Sequence, residues 1–187
     1  MRLIRSVLWC SPALPSMERC SLREGPDGRR LEGTVLTLLD AGPAEIRYAV
    51  TCDRSWRTRK CSVHVDHPDG ARRIELEADE TGSWSRDGVR VDEFEGIADA
   101  DLGFSPCTNS LPIRRLALAI GEEVRISVVW LRFPELDLLS SDQVYTRIAE
   151  NLYRFESGAG EFRAMIETDE LGIVTHYGDL WREVRPA

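Results

Sequence analysis

The segment from Asn109 to Ile120 constrains this chain more than any other. Drawn as a helix, it places Leu111, Ile113, Leu116, Ala117, Leu118 and Ile120 on almost every side. A surface helix keeps one wet face; this one has none, so other elements must surround it. Asn109 or Ser110 can cap it through a side-chain oxygen. Pro112 falls in the first turn, where its missing N–H costs little. Gly121 supplies a stop. The pattern predicts one helix over Ser110–Ile120, enclosed by the rest of the chain.

The rest alternates with period two, the mark of strands with one buried face. In Ala44–Cys52, Ile46, Tyr48, Val50 and Cys52 share one face. Cys61, Val63 and Val65 alternate in Arg59–Val65, and Val124, Ile126, Val128 and Trp130 in Glu123–Arg132. Phe162–Thr168 and Ile173–Tyr177 flank a turn at Asp169–Gly172, and Asp87-Gly88 is a hairpin signal. Many short strands with close turn signals predict a mainly β, antiparallel, single-domain roll or barrel over residues 1–187, wrapped around the one helix.

A net charge of −8 argues against a nucleic-acid binder, which needs a basic surface. No stretch approaches the roughly 20 apolar residues of a membrane span, so stable membrane insertion is not expected. At the start, Arg5 and Ser6 interrupt the apolar run, which suits a first strand ending on a buried Trp9 better than a targeting signal. The cysteines, Cys10, Cys20, Cys52, Cys61 and Cys107, are odd in number and have no Cys-x-x-Cys spacing. They read as reduced thiols in a cytoplasmic protein, with neither a disulfide framework nor a zinc centre.

The run Gly96-Ile97-Ala98-Asp99-Ala100-Asp101-Leu102-Gly103-Phe104, continuing through Thr108-Asn109-Ser110-Leu111-Pro112-Ile113-Arg114-Arg115-Leu116, resembles the signature of a bacterial glycolipid-binding family. Gly82-Ser83-Trp84, Gln143-Val144-Tyr145, Tyr153-Arg154-Phe155-Glu156 and Gly172-Ile173-Val174 match as well, so the resemblance runs from about Trp9 to Trp181. Ser105 and Cys107 depart from the pattern, which leads one to expect Thr and Phe, and Gly178 stands where proline is expected. The resemblance implies a spiral β-roll, homodimers, and a lipid or glycolipid ligand.

Asp99 and Asp101 lie two apart and share a strand face; Arg114 and Arg115 follow on the helix. One reading makes them, with Asn109, a headgroup clamp at a cavity mouth, the arginines gripping phosphate or acidic sugar groups. The other makes them an internal network in which an aspartate neutralises an arginine forced indoors. Trp130, Tyr145 and Tyr153 are candidates to stack on a sugar or line an acyl pocket. A two-residue hairpin at Arg54-Ser55 would set Tyr48 opposite Cys61 and turn Arg57 and Arg59 inward; a one-residue shift would leave them in solvent. His64, Asp66 and His67 do not share one face, so they make a poor metal centre. No nucleophile elbow, phosphate loop or His-Glu-x-x-His motif is present. The leading expectation is a non-catalytic carrier without a cofactor. The alternatives are a dimeric interaction module with a packed core, and a hydrolase or transferase using Asp99 and Asp101.

Overall fold

A computed structural model describes residues 1–185. The alternating segments form β1 (Arg2–Ser11), β2 (Ser16–Gly25), β3 (Gly28–Leu39), β4 (Gly42–Cys52), β5 (Thr58–Asp66), β6 (Arg72–Ala78), β7 (Trp84–Arg86) and β8 (Val89–Val91). The short β9 (Asp99–Leu102) leads to helix α1 (Ser110–Leu116). Then come β10 (Glu123–Leu131), β11 (Leu138–Ala149), β12 (Leu152–Ser157), β13 (Phe162–Thr168), β14 (Val174–Tyr177) and β15 (Trp181–Glu183). All fifteen belong to one sheet, in the order β8-β7-β6-β5-β4-β3-β2-β1-β15-β14-β13-β12-β11-β10-β9. Neighbours are antiparallel except β9 and β10, which run parallel. The mainly β roll read from the alternation is therefore the observed fold. No helix among the described residues is long and apolar enough to cross a membrane.

The sheet does not close as a barrel; it spirals until its last edge leans on its own interior. The Thr58 amide donates to the Ala98 carbonyl at 2.9 Å. The buried Ala100 amide donates to Thr58 Oγ1 at 3.1 Å. The Trp84 indole donates to the Ile97 carbonyl at 3.0 Å. An exposed edge strand leaves a row of unpaired amides and carbonyls. Here Thr58 and Trp84 take up groups on the edge that β10 leaves free.

The inward face of each strand meets a common core. Ile46, Tyr48, Val50 and Cys52 are all buried, as the alternation predicts. Trp9 is fully buried, and its indole donates to the Val174 carbonyl at 2.8 Å. The hairpin turn at Asp87-Gly88 has two positive φ angles, 50° and 81°, the left-handed pair that a tight hairpin needs. Two carboxyl side chains sit deep inside, Asp99 on β9 and Glu18 on β2. Glu18, fully buried on β2, accepts hydrogen bonds from the Tyr48 and Ser105 hydroxyls, and burial pushes its carboxyl up to about 8.

Three expectations need correction. The helix ends at Leu116, not Ile120, because Ala117 turns left-handed (φ 47°, ψ 45°). Beyond it, Leu118 returns to the core while Ile120 is exposed, so the apolar residues serve two elements. Asn109 is not a side-chain cap. It closes a 3-10 turn (Pro106–Asn109) that leads directly into α1, and Ser105 caps that turn by accepting from the Cys107 amide at 3.1 Å. The β4–β5 register also differs: Tyr48 pairs with Val63 and Ile46 with Val65. The connection is longer than two residues, Trp56 takes a positive φ, and a bulge falls at Thr51/Cys52. Arg57 and Arg59 are therefore half-buried at the margin, with Thr58 and Cys61 inward and Arg59 Nη2 2.7 Å from Asp53 Oδ2.

Thr58→Val keeps the shape and removes the acceptor, leaving the Ala100 amide buried and unpaired. Urea denaturation should show a loss of about 1–3 kcal/mol.

Candidate ligand-binding cleft

Asp99 and Asp101 lie on one face of β9, beside Val128 and Trp130 of β10 in the parallel register. Only one of them reaches a cavity. Asp99 is fully buried, and Arg115, in the last turn of α1, clasps it: Nε is 3.1 Å from both carboxylate oxygens and Nη2 is 2.5 Å from Oδ2. Burial raises the Asp99 carboxyl, and the Arg115 guanidinium pulls it back toward the ionised form. Arg114 faces outward. Its guanidinium carbon lies 5.7 Å from the centre of the Trp56 ring, and its stem crosses Gly172, where a Cβ would come within 2.4 Å of Arg114 Cδ. Neither arginine lines the cleft, so the arrangement follows the internal-network reading of Asp99.

Asp101 heads a chain of hydrogen bonds. Its Oδ1 accepts from Thr108 Oγ1 at 2.8 Å and its Oδ2 from Gln143 Nε2 at 2.7 Å. Gln143 Oε1 accepts from the Tyr145 hydroxyl at 3.1 Å, and that hydroxyl accepts from Asn109 Nδ2 at 3.0 Å. Desolvation raises the Asp101 carboxyl, and the bonds from Thr108 and Gln143 oppose the shift. Networks in which every member is satisfied hold their groups rigidly. Tyr145 thus stands behind the site and orients Gln143. Tyr153 is buried elsewhere, under the Arg147 guanidinium at 5.8 Å.

Asp101, Asn109, Trp130, Ser141, Gln143 and Ser157 line the polar side of a cleft of about 350 Å³. Phe155, Phe162, Tyr177, Leu180 and Trp181 form its apolar side. Gly103 stands at the rim because there is no room for a side chain: a Cβ would lie 2.9 Å from Trp130 Nε1 and 3.0 Å from the Leu131 carbonyl. Gly103, Leu180 and Trp181 also border an apolar groove of about 260 Å³, walled by Leu14, Val35, Leu38, Leu39, Phe104, Phe133 and Pro134. The groove shares Leu38, Leu39, Phe133 and Pro134 with a further depression that reaches Val65 and Leu136. The polar cleft and the apolar groove thus adjoin at Gly103, Leu180 and Trp181, whereas the further depression also carries Asp40, His67, Asp69 and Arg72. Among the described residues lining the cleft and the groove, Asp101 is the one carboxylate, and there is no Arg, Lys or His.

Of the residues proposed from sequence, Asp101, Asn109 and Trp130 meet at the cleft. Asp99, Arg114, Arg115, Tyr145 and Tyr153 lie off it. Sequence reasoning passed over Gln143, Ser141, Leu180 and Trp181. Gln143 had a signal, since it alternates with Tyr145 on one strand face; the others had none. Arg115→Ala would leave Asp99 buried without its partner and should cost about 3–5 kcal/mol in chemical denaturation. Arg114→Ala should cost about 1 kcal/mol or less by the same measurement.

A family model described as "Putative glycolipid-binding" matches residues 6–183. A solved structure of a DUF1089 family protein from Pseudomonas aeruginosa superposes with a TM-score of 0.81. It is 34% identical, and the match covers 90% of this chain and 92% of that one. A search of curated proteins gives no match. With nearly the whole chain matched and the fold shared, this protein belongs to the family described as "Putative glycolipid-binding", which its central run resembles.

Proposed function

We propose that this protein binds an amphipathic lipid with an uncharged, hydroxyl-rich headgroup and does no chemistry on it. The observation that carries this reading is that the polar cleft and the apolar groove adjoin, with Gly103, Leu180 and Trp181 lining both. Asp101 offers acceptor oxygens, and Ser141 and Ser157 offer hydroxyls. A sugar supplies the hydroxyl donors that such a floor needs. Trp130 presents an aromatic surface for the ring. Acyl methylenes in the groove would each contribute about 0.8 kcal/mol if fully buried. With one carboxylate and no cation in the lining, an anionic headgroup meets repulsion and no partner. This replaces the headgroup clamp by Arg114 and Arg115 considered from sequence.

The non-catalytic reading rests on the two aspartates. Hydrolysis of a glycosidic bond ordinarily uses two carboxylates that flank it. Here Arg115 occupies Asp99, away from the cleft, and Asp101 stands alone with both oxygens already accepting.

Native mass spectrometry of the purified protein against a lipid panel tests the reading. A glycosyl diacylglycerol should bind, and phosphatidylglycerol of the same chain length should bind at least about tenfold more weakly. Trp130→Ala, and Leu38→Asp in the groove, should each weaken binding about tenfold. No retained lipid of any class would overturn it.

A second reading, a dimer, has its own observation. Cys10, Met17 and Leu36 are successive cross-strand partners on the outer face of β1, β2 and β3, with Met17 and Leu36 48% and 57% exposed. Apolar outer faces of this kind suit a second copy. Sedimentation velocity should then find a dimer that Leu36→Glu converts to monomer; a monomeric native protein would exclude it.

A further inference from the structure

We propose that Glu18, Cys20 and Cys107 form a structural site for a soft divalent cation, zinc by its chemistry. Glu18 and Cys20 are two apart on β2 and point to the same inward side. Cys107 comes from the 3-10 turn that leads into α1. One ligand atom from each lies within 4.8 Å of the other two. All three residues are buried, at 0%, 1% and 0% exposure. Zinc–sulfur bonds of about 2.3 Å and zinc–oxygen bonds of about 2.0–2.2 Å place donors on a common tetrahedral ion roughly 3.5–4 Å apart. The spacing here is compatible with that.

The second observation is the state of the Glu18 carboxyl. Its Oε1 accepts from Tyr48 and Ser105, but its Oε2, equally buried, has no hydrogen-bond partner. Among the described residues no Arg, Lys or His pairs with Glu18. If the carboxyl is ionised, a buried charge lacks a counter-charge; if protonated, its hydroxyl lacks an acceptor. Either condition is costly in a dry interior. A divalent cation held by the carboxylate and two thiolates gives Oε2 a partner and the carboxylate a counter-charge; the two thiol protons, and the carboxyl proton where Glu18 is protonated, pass to solvent on binding. Thiolate donors favour zinc over magnesium or calcium, which prefer oxygen. The Tyr48 or Ser105 oxygen, already beside the carboxylate, is placed to complete four ligands. A closed, four-ligand set is a structural centre rather than a catalytic one. It would tie β2 to the turn that launches α1.

The test uses the full chain, produced in zinc-supplemented medium and purified without chelator. Inductively coupled plasma mass spectrometry should find about one zinc per chain. Glu18→Gln and Cys107→Ser should each abolish that zinc, while Cys10→Ser retains it. Refolding the wild type with cobalt should produce a thiolate-to-cobalt charge-transfer band that Cys20→Ser removes. The wild-type readouts stand whether or not the core variants fold. A wild type that carries no zinc and gives no such band overturns the proposal. So does recovery of Cys20 and Cys107 as a disulfide, or full zinc content in a folded Glu18→Gln.

Discussion

The clasp between Arg115 and Asp99 holds together the parts of this molecule that could otherwise separate. Asp99 begins the edge strand β9; Arg115 lies in the last turn of α1, the one α-helix among the described residues. The strand on one side of β9 is its parallel neighbour β10, and on the other side Thr58 takes up its free backbone groups. Helix, sheet edge and the start of β5 therefore converge on one buried carboxylate. Two features make the pair favourable. The guanidinium engages both carboxylate oxygens, and it sits in the last turn of a helix, where a positive charge is stabilised. A buried pair of this kind gains little over an apolar contact, but it is costly to break, and it specifies one arrangement of helix on strand.

That placement decides what the neighbouring carboxylate can do. Asp99 and Asp101 are chemically alike and share a strand face, yet their surroundings separate them. Asp99 is sealed under α1 and matched by a full positive charge. Asp101, one strand pair further, meets only neutral donors from Thr108 and Gln143 and lines an open cleft. The first is covered and the second lines the cleft. The cleft offers hydroxyls and amides beside Asp101, and the adjoining groove is walled mostly by Leu, Phe and Pro. An amphipathic ligand has the same order of parts.

Much of the fold was legible because the period-two pattern is strong wherever a strand has one wet face. Phe162–Thr168 was read with its observed ends, and the inward residues of β4 were identified from alternation alone. The errors share a cause: each concerned a long-range or backbone detail that local pattern does not encode. The bulge at Thr51/Cys52 moved Arg59 to the margin, because one extra residue reverses which side chains face inward. The helix ended early because Ala117 adopts a left-handed conformation that composition does not announce. Cysteine spacing along the chain, likewise, records only near neighbours. Cys20 and Cys107, 87 residues apart, meet through the fold.

By itself the sequence determined the class of structure: many alternating strands, each with one face to bury, and one short helix among them. That follows from the burial of apolar surface, which each segment displays in its own periodicity. It also carried the family, since the central run from Gly96 to Leu116 supplies an edge strand, a capped turn and a helix in order. Only the tertiary structure decided which charges are partners and which are free. Arg114 and Arg115 are adjacent in the chain and look equivalent, but they point to opposite environments about a helix. Asp99 and Asp101 look paired, but one is covered and the other is not. Pairing of charges depends on distances across elements far apart in sequence, and no local pattern records them.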